Sequence, residues 1–184
     1  MDNIIYILVD YGIIGIMIAA FSEAVFLPVP MEFISIPVYL LNPTKAFLYS
    51  IILIIFSSLG SIAGYYLGKI FGKPLMNRVI SVEYFNKLKT LYDKNSFLTI
   101  LTSSFTPIPY EAYVLSAGIF KIDFKKFILS SIISRVIRHL PQGIIITLYG
   151  DILLPHLKNY TLVIALFMFI IILSQYLFTN KKSS

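Results

Sequence analysis

Six ionisable side chains lie inside long apolar runs of this 184-residue chain: Glu23, Glu32, Glu111, Arg135, Arg138 and His139. A charge at the centre of a bilayer costs at least ~2.5 to 3.5 kcal/mol on insertion scales, so retaining such a set needs a reason. Arg135 and Arg138 are three residues apart and therefore neighbours on one helix face. Together they can hold a phosphate through charge-assisted, forked hydrogen bonds, with His139 beside them to contribute or titrate. The alternative is structural: the arginines neutralise the glutamates in buried ion pairs, or one snorkels to an interface. Glu32 and Glu111 each follow a proline by two residues. If Pro30 and Pro109 open half-helices, each carboxylate falls at the third helical position, facing free amides and the positive end of the helix dipole. An ionised Glu there blocks an anion site and a protonated one vacates it, which would link a proton to phosphate binding. Glu23, a turn or two before the first proline pair, faces either the same cavity or the membrane surface. No metal, cofactor or enzymatic chemistry is expected. Cys is absent, His139 and His156 alone cannot form a zinc triad, and no Ser/His/Asp set appears.

The elements that must position these residues follow from composition. The chain is 58% hydrophobic and 13% charged, with mean hydropathy +0.84, against roughly 25% charged residues in soluble domains. It reads as an all-α polytopic membrane protein forming one membrane domain over 1–184. The net charge of +6 is spread between apolar runs and makes no continuous basic face, so nucleic acid is not an expected partner. Two uncharged stretches, Phe47 to Gly68 and Tyr160 to Phe178, have the ~20 residues a crossing needs. Phe127 to Gly150 has the length too, but carries Arg135, Arg138, His139 and Pro141, and is expected to span with that stretch facing protein or water. The run Ile4 to Ser22 lacks the basic start of a signal peptide and is read as part of the mature protein, spanning or entering as a long hairpin arm. Ala24 to Leu41 and Phe97 to Phe120 are broken by Pro28-Val29-Pro30 and Pro107-Ile108-Pro109. Paired prolines forbid a continuous helix, and broken backbone at membrane depth must be buried or line a cavity, so each stretch is expected to be a re-entrant hairpin. Gly60, Gly64 and Gly68 give one helix face a smooth stripe suited to close packing. The hydrophilic stretch from Lys69 to Asn95 carries apolar residues at helical spacing (Met76, Ile80, Tyr84, Leu88, Leu91) and is expected to be an amphipathic connector on the interface.

The proline breaks are copies of one pattern, Pro-x-Pro-x-Glu, 79 residues apart, and Gly64 falls on Gly143 at the same offset. This points to a two-fold repeat of hairpin plus transmembrane helix: repeat 1 over about 12–72, connector 73–95, repeat 2 over about 96–150, then a C-terminal transmembrane helix over 160–178. Alternating the crossings puts the connector, Lys121, Lys125, Lys126 and the Lys181-Lys182 tail on one side, with eleven of the 15 basic residues. The positive-inside rule makes that side cytoplasmic, and the repeats then enter from opposite faces, the inverted plan of secondary transporters.

The two hairpins, together with Gly60-x-x-x-Gly64-Tyr65-x-x-Gly68-Lys69-x-x-Gly72, resemble the DedA family, also called VTT or SNARE-associated Golgi proteins. Phe105-Thr106-Pro107-Ile108-Pro109 leading to Ala117-Gly118 is similar to its YqaA-like branch. The resemblance, over roughly residues 20 to 150, implies a flippase- or scramblase-like transporter of polyprenyl phosphate or phospholipid. It implies essential acids at Glu23 and Glu32. The arginines that better-known members carry in the second hairpin are missing here, and Arg135 and Arg138 on the next helix are the available substitutes. The expected partner is a membrane lipid with a phosphate headgroup, in a cytoplasmic membrane, with homo-oligomerisation open. A proton-coupled small-ion antiporter and a non-transporting assembly protein are the rival readings.

Overall fold

The computed structural model describes residues 12–26, 30–79, 82–106 and 108–180, with the side chains at 73, 75–79, 82–84 and 153–180 left out of the description. Pro28 and Pro107 therefore lie outside the described residues, as do Ile4 to Tyr11, the Lys181-Lys182 tail and the connector side chains Met76, Ile80 and Tyr84. All regular structure among the described residues is helical: α1 (Gly12–Val25), α2 (Glu32–Leu41), α3 (Ala46–Val79), α4 (Val82–Leu101), α5 (Tyr110–Ile119) and α6 (Phe124–Asn180).

The first hairpin is α1 and α2. A Cβ on Gly12, at the start of α1, would stand 3.0 Å from Cγ1 of Val38 near the end of α2, so the arms run antiparallel. The described arms have 14 and 10 residues, ~21 and ~15 Å of axis. The second hairpin leaves α4 at a kink. Asn95 is extended (φ −162°, ψ 100°), Thr102–Phe105 tightens to a 3-10 turn, and α5 returns after the proline pair. Pro109 (φ −55°, ψ 141°) is the cap of α5, its carbonyl accepting from the Ala112 amide at 3.1 Å. Glu111 is thus the second residue of its helix and Glu32 the first of its own. Both lie nearer the terminus than the third position expected, because Pro30 and Pro109 precede the helices and do not open them.

α3 is the central post. Its stretch Pro43–Gly72, counted with the preceding 3-10 turn, has mean hydropathy 2.1 and is the one helical segment among the described residues long and apolar enough to cross a membrane. It bends at Gly72, whose φ of +55° an L side chain adopts at a cost. Its glycine stripe brings backbones together. A methyl on Gly60 would strike the Phe21 carbonyl of α1, and one on Gly68 the Leu115 carbonyl of α5. Gly64 lies between Val114 and the Ala24 carbonyl, and Gly118 of α5 abuts the Tyr65 carbonyl in return. On α6, Gly143 packs on Ser50 and Ala46 of α3. Small residues let α5 enter this space, and every residue from Tyr110 to Gly118 is buried.

Two expectations change. The connector does not lie free on an interface: Leu88 and Tyr92 are buried with Tyr113 and Phe127, and Tyr92 donates to the Tyr113 carbonyl at 2.7 Å. The chain between 150 and 160 also does not turn. α6 continues as helix through Pro155 for 57 residues, ~85 Å of axis, so the stretches expected as two crossings, 127–150 and 160–178, fall on one helix. Its start is well defined. Lys121 (φ +53°) closes α5 with Ile122 N–H on the Ala117 carbonyl, and the Asp123 carboxylate caps α6 at the Lys126 amide, 2.9 Å away.

Candidate functional site

Residues 131, 134, 135, 138, 139 and 142 recur at three- and four-residue spacing and so form one stripe along α6. The stripe consists of Ser131, Ser134, Arg135, Arg138, His139 and Gln142, and both hairpins anchor to it.

The first hairpin is held by charge. The Arg135 Nη2 donates to Glu23 Oε2 at 2.8 Å, with side-chain exposures of 0% and 7%. Arg138 makes a two-pronged contact with Glu32, Nε to Oε1 at 2.7 Å and Nη2 to Oε2 at 2.8 Å, and here the exposures are 23% and 25%. Gln142 Nε2 adds a longer bond to Glu32 Oε1 at 3.3 Å, and His139 Nδ1 is 4.0 Å from the same oxygen. Arg135 Nη1 lies 3.4 Å from His139 Nε2. One turn of α6 therefore binds both arms of hairpin one, Glu23 from α1 and Glu32 from α2. The two ion pairs differ: the Arg135 pair is sealed and the Arg138 pair can be reached.

The second hairpin is held by neutral groups. Tyr110 hydroxyl is hydrogen-bonded to Ser61 on α3 at 2.9 Å and to Ser131 on α6. Its ring lies under the Arg135 guanidinium, with Cζ 3.4 Å from the centroid, a cation–π contact worth ~2 kcal/mol or more when desolvated. Ser104 Oγ meets Ser134 Oγ at 2.6 Å. Glu111 is 2% exposed, yet forms no ion pair among the described residues.

Of the six ionisable residues, then, five gather in one cluster and Glu111 lies beside the Tyr110 that touches it. Near the cluster, buried polar groups face one another at the limit of hydrogen bonding, Tyr39 with Ser35 and His139 with Gln142, and Arg135 Nε meets no acceptor among the described residues. Ser35 and Tyr39 lie on the face of α2 that carries Glu32, and Ser57 is one turn from Ser61 on α3. A buried group left unpaired costs ~1–3 kcal/mol, so a site that keeps one has capacity for a polar guest. Sequence reasoning missed Tyr110, Ser61, Ser131 and Gln142. The stripe spacing around Arg135 would have found Ser131 and Gln142, and two serines a turn apart in an otherwise apolar span would have flagged Ser61.

The VTT domain family matches residues 27–148, and the chain belongs to it, a family of membrane proteins associated with transport. That span holds every residue of the cluster except Glu23. A protein of Methanocaldococcus jannaschii described as uncharacterized is 34% identical over 130 residues, covering 71% of this chain and 81% of its own. An uncharacterized protein of Haemophilus influenzae is 25% identical over 134 residues, covering 71% and 69%. No solved structure matches the chain.

Proposed function

We propose that this VTT-domain protein is a transporter, not an enzyme, that moves a phosphate-bearing lipid, polyprenyl phosphate or phospholipid, between membrane leaflets. The observation that carries the reading is the half-exposed Arg138–Glu32 fork. A phosphate presents the same pair of acceptor oxygens to a guanidinium as a carboxylate does, so a headgroup can take the place of Glu32 on Arg138 without rebuilding the site. Protonation of Glu32 favours that exchange, because a neutral acid no longer competes for the fork. Arg135, sealed against Glu23 and Tyr110, is assigned a structural role that holds the stripe in register. His139, whose Nδ1 lies 4.0 Å from Glu32 Oε1, is a further donor for the remaining phosphate oxygens. Glu111, buried without a cation, is the second proton-linked carboxylate, since a bare charge there costs several kcal/mol that a proton removes. Lipid tails stay in the bilayer while the headgroup enters between the hairpins, which lets a small protein serve a large substrate. In this reading the two hairpins are the re-entrant halves of an inverted repeat, and the basic connector faces the cytoplasm.

The test is a flipping assay in proteoliposomes with labelled lipids of several headgroups, with and without a pH gradient. Wild-type protein is expected to move at least one phosphate-bearing lipid, and Arg138→Gln to abolish that movement. A small-ion antiporter would instead carry cation flux in both proteins. Purified wild-type protein that moves no phospholipid or polyprenyl phosphate overturns the reading.

A further inference from the structure

A second polar site lies where α4 kinks, at the far end of the second hairpin from its proline pair. Beside the extended Asn95 that interrupts the helix lies an open depression of about 470 Å³, lined by Tyr92, Asp93, Lys94, Asn95, Ser96 and Phe97 of α4 and by Lys126 of α6, with both lysines exposed. The kink is a built feature. Thr99 Oγ1 is shared between the Leu91 carbonyl at 2.9 Å and the Asn95 carbonyl at 2.7 Å, and Asn95 Oδ1 accepts from the Leu98 amide at 3.0 Å. On the inner side, Tyr92 is pinned to Tyr113. Two lysines from different helices thus converge on a wall that is already held, and neither takes part in an ion pair among the described residues. Of the acids near them, Asp123 is engaged in capping α6 through one carboxylate oxygen, and Asp93 contributes one negative charge to the lining against two positive. The site also lies where the charged connector meets apolar helix, with Leu98 exposed one turn beyond. A basic side chain near an anionic lipid surface adds about 1 kcal/mol of attraction.

We propose that this depression binds a phosphate group through Lys94 and Lys126, as a site separate from the Glu–Arg cluster and independent of the transport reading. Free inorganic phosphate and the headgroup of an anionic lipid share the chemistry, and the experiment separates them. The purified full chain in detergent is titrated with dioctanoyl phosphatidic acid, with dioctanoyl phosphatidylcholine and with inorganic phosphate. Binding is followed through the ε-signals of its lysines after reductive 13C-dimethylation, which keeps the charge. Phosphatidic acid is expected to shift the Lys94 and Lys126 signals together, phosphatidylcholine to shift them far less, and Lys94→Gln or Lys126→Gln to weaken binding about fivefold each. Lys45→Gln, which removes the same charge from the turn before α3, is expected to leave the affinity unchanged. Shifts with phosphatidic acid alone assign a lipid site, and equal shifts with inorganic phosphate assign a free-anion site. Lys94 and Lys126 signals that stay still with both, or an affinity that survives Lys94→Gln/Lys126→Gln, overturn the proposal.

Discussion

The two hairpins carry the same Pro-x-Pro-x-Glu sequence and are fastened to α6 by different means. Hairpin one is tied to α6 by two carboxylate–guanidinium pairs, Glu23–Arg135 and Glu32–Arg138. Hairpin two is tied by hydroxyls, Ser104–Ser134 and Tyr110–Ser131, while its own tip carboxylate, Glu111, has no cation among the described residues. A hydroxyl pair has nothing to exchange with an anion. A carboxylate–guanidinium pair does, because an incoming phosphate or a proton competes directly for it. In the proposed transport reading, the first tip is the one that chemistry opens and the second is the wall it opens against.

The comparison breaks most readily at the sealed pair. Arg135→Ala strands the Glu23 carboxylate and removes the cation over Tyr110, so a loss of ~3–5 kcal/mol is expected in thermal or denaturant unfolding of the detergent-solubilised protein. A loss below ~1 kcal/mol would show that the pair bears little of the fold. Next, Gly68→Ala drives a methyl into the Leu115 carbonyl and is expected to cost ~1–3 kcal/mol on the same measurement. Tyr110→Phe keeps the ring under Arg135 and deletes both hydroxyl bonds, for ~1 kcal/mol, whereas Tyr110→Leu loses the cation–π contact as well and should fall by ~2 kcal/mol more. Arg138→Lys keeps the charge and loses the fork. Stability is expected to change by ~1 kcal/mol or less, but lipid movement in proteoliposomes should fall at least tenfold. The smallest effect is the sharpest. Glu111→Gln breaks no ion pair among the described residues and removes a buried carboxylate, so it should leave stability unchanged or raise it by up to ~1 kcal/mol, whereas Glu32→Gln breaks the fork and should lower it. Equal shifts in these two variants would erase the distinction between the hairpins.

Much of this arrangement was legible in the chain. Paired prolines in apolar runs located both breaks, because two prolines within three residues cost a helix more than the single prolines that α6 carries within it. The buried ionisable residues located the cluster, because membrane burial of charge is too costly to be incidental. What stayed hidden was which partner each charge takes. Glu23 and Arg135 are 112 residues apart, and the three glutamates look alike until α6 is laid against one hairpin's arms. The helix through Pro155 was hidden for a different reason: Gly150 and Pro155 are ordinary punctuation, and local propensity is the only guide where packing does not decide. The amphipathic connector gave its period correctly, but an apolar face has the same spacing whether it meets lipid or, as Leu88 and Tyr92 do, a protein core.

The glycine contacts of α3 have a mechanical consequence. Where Gly60 meets the Phe21 carbonyl of α1, and where Gly68 and Gly118 bring α3 and α5 together, backbone lies directly on backbone. Helices joined in that way move as one casting. α1, α3 and α5 therefore form the frame, and α2, short and joined to α3 by a 3-10 turn, is fastened by side chains instead, Val38 against Gly12 and Glu32 to Arg138. Spin labels placed on α1 and α5 should keep one separation through every condition of substrate and pH, and a label on α2 should not.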